Sequence, residues 1–142
     1  VEMGRFYTAE CGFYLTTAMD CKDHDGQLYC IVDGGMNHLN YLGQIMGMKR
    51  PHLRHFAAQQ GTQQDWTLCG SLCTTNDVLV RSISLTGLQL VFENAGAYSV
   101  TEGLGLFLSR DLPQIVLWQN GAPQLVRALT PTHPLNTPLG DM

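Results

Sequence analysis

Apolar and β-branched residues come in short bursts along this chain, each closed by a cluster of Gly, Pro, Asn or Asp, and no long stretch keeps the 3.6-residue rhythm of an amphipathic helix. Residues 13–22 (FYLTTAMDCK) and 27–33 (QLYCIVD) predict two strands around the polar turn DHDG. Residues 65–73 (DWTLCGSLC), 77–85 (DVLVRSISL) and 87–96 (GLQLVFENAG) predict three more, the last two separated by a Thr86-Gly87 turn. The clearest local signal lies in 113–129 (PQIVLWQNGAPQLVRAL), where Asn120-Gly121 supplies the two positive φ angles of a tight hairpin. RFYTAEC at 5–11 predicts one or two helical turns stopped at Gly12. Between Met36 and Gln64 the pattern dissolves into Met, Gly, His and Gln, as in a functional or partner-covered loop with short helical turns. Residues 97–109 are ambiguous, and the Pro-rich tail 131–142 reads as extended or disordered. About seven short strands therefore predict a mainly β fold, a Greek-key sandwich or barrel-like domain with one or two short helices.

Composition narrows the function classes. The 142 residues suit one core. The charged fraction is only 14%, with 15 glycines, so part of the surface is expected to lie against another surface. A formal charge of −4 with Lys and Arg scattered singly provides no nucleic-acid footprint. Five cysteines without a signal peptide, and no apolar run long enough to span a bilayer, argue against a secreted disulfide framework or a membrane segment and for the cytoplasm. The chain opens on Val1 in mid-motif, which reads as a fragment of a longer protein.

Cys69 and Cys73 raise four readings: metal ligands, a redox pair, a nucleophile or strand thiols. Their spacing is not that of zinc knuckles, and no second Cys or His pair follows, so no metal is expected. A redox pair would favour Cys-x-x-Cys at a helix start, and none of the histidines at 24, 38, 52, 55 and 133 is placed by sequence beside Cys73 as a base. On composition alone, two buried strand thiols fit best. His52 and His55 are spaced for one helical face and read as solvated. VDGGMN and ENAGAY each end a strand in a sharp Gly turn that exposes polar groups.

Taken in order, VEMGR at 1–5, VDGGMN at 32–37, GSLCTTNDVL at 70–79 and ENAGAY at 93–98 form a series. It resembles the C-terminal domain of the pyridoxal-phosphate decarboxylases of the diaminopimelate, ornithine and arginine family. That family's pattern runs Glu-Pro-Gly-Arg, Asp-Gly-Gly-Met, Gly-Pro-x-Cys-Glu-Ser-x-Asp and Gly-Ala-Tyr. The resemblance implies that residues 1–5 end a (β/α)8 barrel, that 6–130 form the β domain and that 131–142 are a tail. The barrel would carry the cofactor-bearing lysine, which neither Lys22 nor Lys49 matches. The fragment alone is then expected to be inactive.

Carried over residue by residue, Glu2 is the carboxylate beside the cofactor's pyridine nitrogen, favouring the protonated ring. Arg5 reaches the cofactor phosphate and the substrate. Met3 stands where the family has Pro, and Gly4 completes the motif. Tyr98 bonds the phosphate and borders the substrate, with Gly96 letting backbone pass close. Cys73 enters the active site from the other subunit of a homodimer and returns a proton to the α-carbon as a general acid. Thr74 stands where relatives carry an acid that holds a substrate's distal ammonium; burying that ammonium unpaired would cost about 2 to 5 kcal/mol. CTTND instead resembles the Cys-Thr-Pro-x-Asp variant of decarboxylases whose amino acid is tethered to a carrier protein. Arg50, in Arg-Pro-His-Leu-Arg, matches the family's substrate-carboxylate arginine after an insertion. Free meso-diaminopimelate as substrate, and a non-catalytic homologue that only binds, are the alternative readings.

Overall fold

The computed structural model describes residues 1–40, 50–56 and 64–138. They fall into two compact units, Val1–Gly103 and Leu104–Met142. In the first, the short helix α1 (Gly4–Thr8) continues as a 3-10 turn, Ala9–Cys11, into the strands β1 (Tyr14–His24), β2 (Gln27–Val32), β3 (Leu53–Phe56), β4 (Asp65–Cys69), β5 (Val78–Ser84) and β6 (Gln89–Phe92). These make one sheet in the order β3-β6-β1-β2-β4-β5. Asp25 and Gly26, both at positive φ, close the tight β1–β2 hairpin.

β1 is the organising strand. It pairs with β6 through residues 14–17 and with β2 through residues 18–24, with a register shift between Ala18 and Asp20. Alternation directs Thr16, Cys30, Val32, Leu68, Val80, Leu90 and Phe92 inward. Cys30, Val32, Leu68, Val80, Leu90 and Phe92 belong to the apolar core, against which Tyr14, Trp66 and Leu53 pack. Full burial of side chains of this size is worth about 1.5 to 3 kcal/mol each.

The β2–β4 pair is parallel. A parallel pair cannot be closed by a tight turn and needs a crossover connection, which residues 33–64 provide. Parallel pairing also places the C-terminal ends of β2 and β4 side by side. The turns leaving them, 33–40 and 70–77, therefore meet at one end of the sheet.

In the second unit, a 3-10 turn (Phe107–Ser109) precedes the hairpin of β7 (Ile115–Gln119) and β8 (Ala122–Arg127), which turns at Asn120 and Gly121, φ 54° and 79°. The mainly β expectation and the hairpin hold. β5 and β6 are consecutive but do not pair, because β6 inserts between β3 and β1. Three other expectations need correction. The Met36–Gln64 stretch contains a strand, β3, and a helical turn in which His38 and Leu39 N–H both reach the Gly35 carbonyl; residues 41–49, with Lys49, and 57–63 lie outside the described residues. Gly12 is not a left-handed stop: its φ is −118°, and it is needed because a Cβ there would overlap the Ala95–Gly96 backbone. The tail forms a short helix, α2 (His133–Asn136), with a proline in its first turn. There Thr132 donates to the Arg110 carbonyl at 2.8 Å, and the Asn136 amide donates to the Leu106 carbonyl at 3.0 Å.

Candidate active site

Two clusters gather the sequence-predicted residues. The first forms where α1 meets the turn after β6. Asn94 and Ala97 adopt positive φ, and Gly96 donates its N–H to the Ala9 carbonyl at 3.0 Å while Ala95 donates to Gly12 at 2.8 Å. A Cβ on Gly96 would overlap the Thr8 carbonyl, so the close backbone approach expected there is real. The docking brings Arg5 over the Tyr98 ring, 5.1 Å from its centroid, and Arg5 Nη2 donates to Glu102 Oε1 at 2.8 Å. Gly4 lies so near the Tyr98 hydroxyl that a side chain would overlap it. Glu2 and Met3 are exposed just ahead of this group.

The second cluster is built on Asp77, only 2% exposed. Its Oδ1 accepts from the Met36 N–H at 2.8 Å and its Oδ2 from the Leu72 N–H at 2.9 Å. Cβ atoms on Gly35 or Gly70 would collide with this carboxylate. Asp77 thus clasps the Gly34-Gly35 turn to the turn carrying Cys73, and Ser71 N–H adds a bond to the Gly34 carbonyl at 2.8 Å. Cys73 is exposed on a bend, not buried in a strand; Cys69 does lie in a strand, β4, but is half-buried and not fully buried. Thr74 follows, half-buried, its hydroxyl accepting from Asn76 N–H at 3.3 Å.

Behind the clasp, Asp33 accepts from the Thr16 hydroxyl and from Thr17 N–H, and Tyr14 shares a 2.9 Å hydrogen bond with His38 Nδ1. Burial above all, helped by the Asp33 and Asp77 carboxylates, raises the Tyr14 phenol well above its ordinary range, so it stays neutral. Segment 33–40 then links the two clusters: at its far end Asn40 donates from N–H to the Ser99 carbonyl at 2.8 Å and from its amide to the Glu102 carbonyl at 3.3 Å.

Arg50 joins neither group; its Nη2 donates to the Ser82 carbonyl at 3.4 Å. His52 and His55 do not share a helical face: His52 precedes β3 and is exposed, while His55 lies within β3 and is half-buried. Lys22 pairs with Asp20 at 3.1 Å. Among the described residues, no group of three His, Cys, Asp or Glu side chains is arranged to hold a metal ion. Asp77 and Glu102 are the site residues that sequence reasoning passed over. Asp77 was accessible as the last position of Cys73-Thr74-Thr75-Asn76-Asp77; nothing local marks Glu102.

The fold is that of a sheet domain whose turns gather two polar clusters. Residues 6–96 match the family model for the C-terminal sheet domain of pyridoxal-dependent decarboxylases. The chain belongs to that family. It is 34% identical to the 2-[(L-alanin-3-ylcarbamoyl)methyl]-2-hydroxybutanedioate decarboxylase of Staphylococcus aureus, over 81% of this chain and 32% of the relative. It is 28% identical to the L-glutamyl-[BtrI acyl-carrier protein] decarboxylase of Niallia circulans, over 89% of this chain and 32% of that protein. A crystal structure of diaminopimelate decarboxylase superposes with a TM-score of 0.78 at 26% identity, over 93% of this chain and 34% of that one. The chain thus spans about a third of the length of the proteins it matches.

Proposed function

We propose that this chain completes the active site of a pyridoxal-phosphate-dependent carboxy-lyase acting on an α-amino acid whose far end is acylated, as on a carrier protein, rather than a free ammonium. The observation that carries the substrate reading is Thr74: the residue next to the exposed Cys73 thiol bears no charge. An unpaired buried ammonium there would be costly. The names of two relatives agree, one specifying an alanine joined through a carbamoyl group and the other a glutamyl group on an acyl-carrier protein.

The donor set fits the cofactor. A guanidinium fork and a phenol hydroxyl, with no side chain at Gly4 to block them, suit a phosphate. When bound, pyridoxal phosphate supplies the electron sink for the bond to CO2. Glu2 would keep its ring nitrogen protonated, Met3 and Gly4 would shape the backbone beside it, and Arg50 would hold a substrate carboxylate. Cys73 is exposed on its bend, which suits a thiol that serves the second site of a homodimer. The five free thiols suit a reducing cytoplasm, and no helix among the described residues is long and apolar enough to cross a membrane.

The test is CO2 release by the complete protein from meso-diaminopimelate, ornithine, arginine and a carrier-linked glutamyl thioester. Turnover of the thioester alone is expected. Turnover of free diaminopimelate alone would overturn the substrate reading, and no turnover without cofactor binding would favour a non-catalytic homologue. Cys73→Ala is expected to keep the cofactor absorbance while slowing product formation about 10²- to 10⁴-fold, the usual share of a general acid.

A further inference from the structure

We propose that Cys21 and Cys30 form a thiol–disulfide modification site, separate from Cys73 and closed by a small-molecule disulfide. The two stand directly opposite each other in the antiparallel β1–β2 pair. Opposed Cα atoms in such ladders lie about 4.5 or 5.5 Å apart, and both distances fall within the roughly 4.4–6.8 Å that a disulfide spans. Residues facing each other across a ladder share one face of the sheet, so the two side chains are direct cross-strand neighbours. Opposed Cβ atoms lie about 4.5–5.5 Å apart, so joining them to the roughly 3.5–4.5 Å of a disulfide asks for a local approach of about 1 Å and no change of register.

Exposure assigns the roles. Cys21 is exposed and Cys30 fully buried, so an oxidant meets Cys21 first. The Cys21 thiolate attacks the small disulfide, forming a mixed disulfide and releasing one small thiolate. Cys30 then loses its proton and attacks the Cys21 sulfur, forming the Cys21–Cys30 bond and releasing the second small thiolate. Two protein thiols are oxidised, one small disulfide is reduced, and the two protons end on the released thiols.

Burial, then the neighbouring Cys21 and Cys69 thiols, push Cys30 up to about 12. Cys30 is therefore a slow resolving nucleophile and, in the reverse direction, a poor leaving group when a reductant attacks the accessible Cys21 sulfur. The bond should form slowly and persist. Cys69 is not an equivalent partner: it stands opposite Ile31, while Cys30 faces Leu68, so alternation turns Cys69 to the other side.

The experiment incubates the complete protein with oxidised glutathione and maps non-reduced peptides by mass spectrometry. The expected result is a Cys21–Cys30 linkage that disappears in Cys21→Ser but persists in Cys69→Ser and Cys73→Ser. Closure should quicken about tenfold per pH unit between 7 and 9, following the thiolate fraction. A Cys30–Cys69 linkage, or a mixed disulfide that stops at Cys21 even at pH 9, would overturn the proposal. Cys21 is the variant used because its exposed side chain can be changed without opening the core.

Discussion

Asp77→Asn preserves side-chain shape but turns one of two accepting oxygens into a donor facing the Met36 or Leu72 N–H. A buried backbone donor left unpaired costs about 1–3 kcal/mol, so the urea midpoint should fall accordingly, and activity should fall with it because the Cys73 turn is released. His55 offers a pH test. Its Nδ1 is buried without a hydrogen-bond partner among the described residues, and burial lowers its pKa below the usual 6.5. Between the lowered folded value and about 6.5, the unfolded chain binds more protons than the folded one, so stability should rise with pH through that window and level off above it. His55→Gln should flatten this part of a stability profile measured by chemical denaturation; an unchanged slope would place the titration elsewhere.

At the scale of elements, Gly121 is a purely conformational position. Its φ is +79°, and a Cβ would meet nothing within 4 Å. Gly121→Ala should therefore cost the β7–β8 hairpin about 1–2 kcal/mol, seen as faster amide exchange in that hairpin and not in the six-stranded sheet. This element was legible in the sequence because Asn-Gly and its flanking apolar runs act locally. β1, β2, β4 and β5 were legible for a similar reason, their alternation being interrupted by polar turns. β3 was not: four residues amid Gln, His and Gly carry little periodicity, and they become a strand only because β6 offers a partner in register. Gly4 and Arg5 come from one motif and Tyr98 from another, and the structure brings them together. They could not reveal that Glu102 pairs with Arg5, a contact across 97 positions, nor that Asp77 reaches Met36 across 41.

At the scale of the whole molecule, many large apolar side chains remain exposed. Phe13, Leu15 and Phe56 line a cavity of about 430 Å³ in the first unit, and Val116, Trp118, Leu125 and Val126 are exposed on the second sheet. Such patches mark surfaces that are covered in an assembly or liable to association. The chain alone should bind a hydrophobic dye more strongly per mole than the complete protein does; equal binding would mean that these surfaces stay open. The clasp around Asp77 also governs how this surface can diverge. Gly35, Gly70 and Asp77 interlock, so a bulkier residue at either glycine requires the carboxylate to move. Position 74 stands outside that lock, and the acceptor role of its hydroxyl can pass to a carboxylate. A lineage can therefore exchange residue 74, the position proposed to face a substrate's far end, while inheriting the thiol's mounting intact, and grafting residues 70–77 onto a related domain should succeed only where a glycine already waits at the position of Gly35.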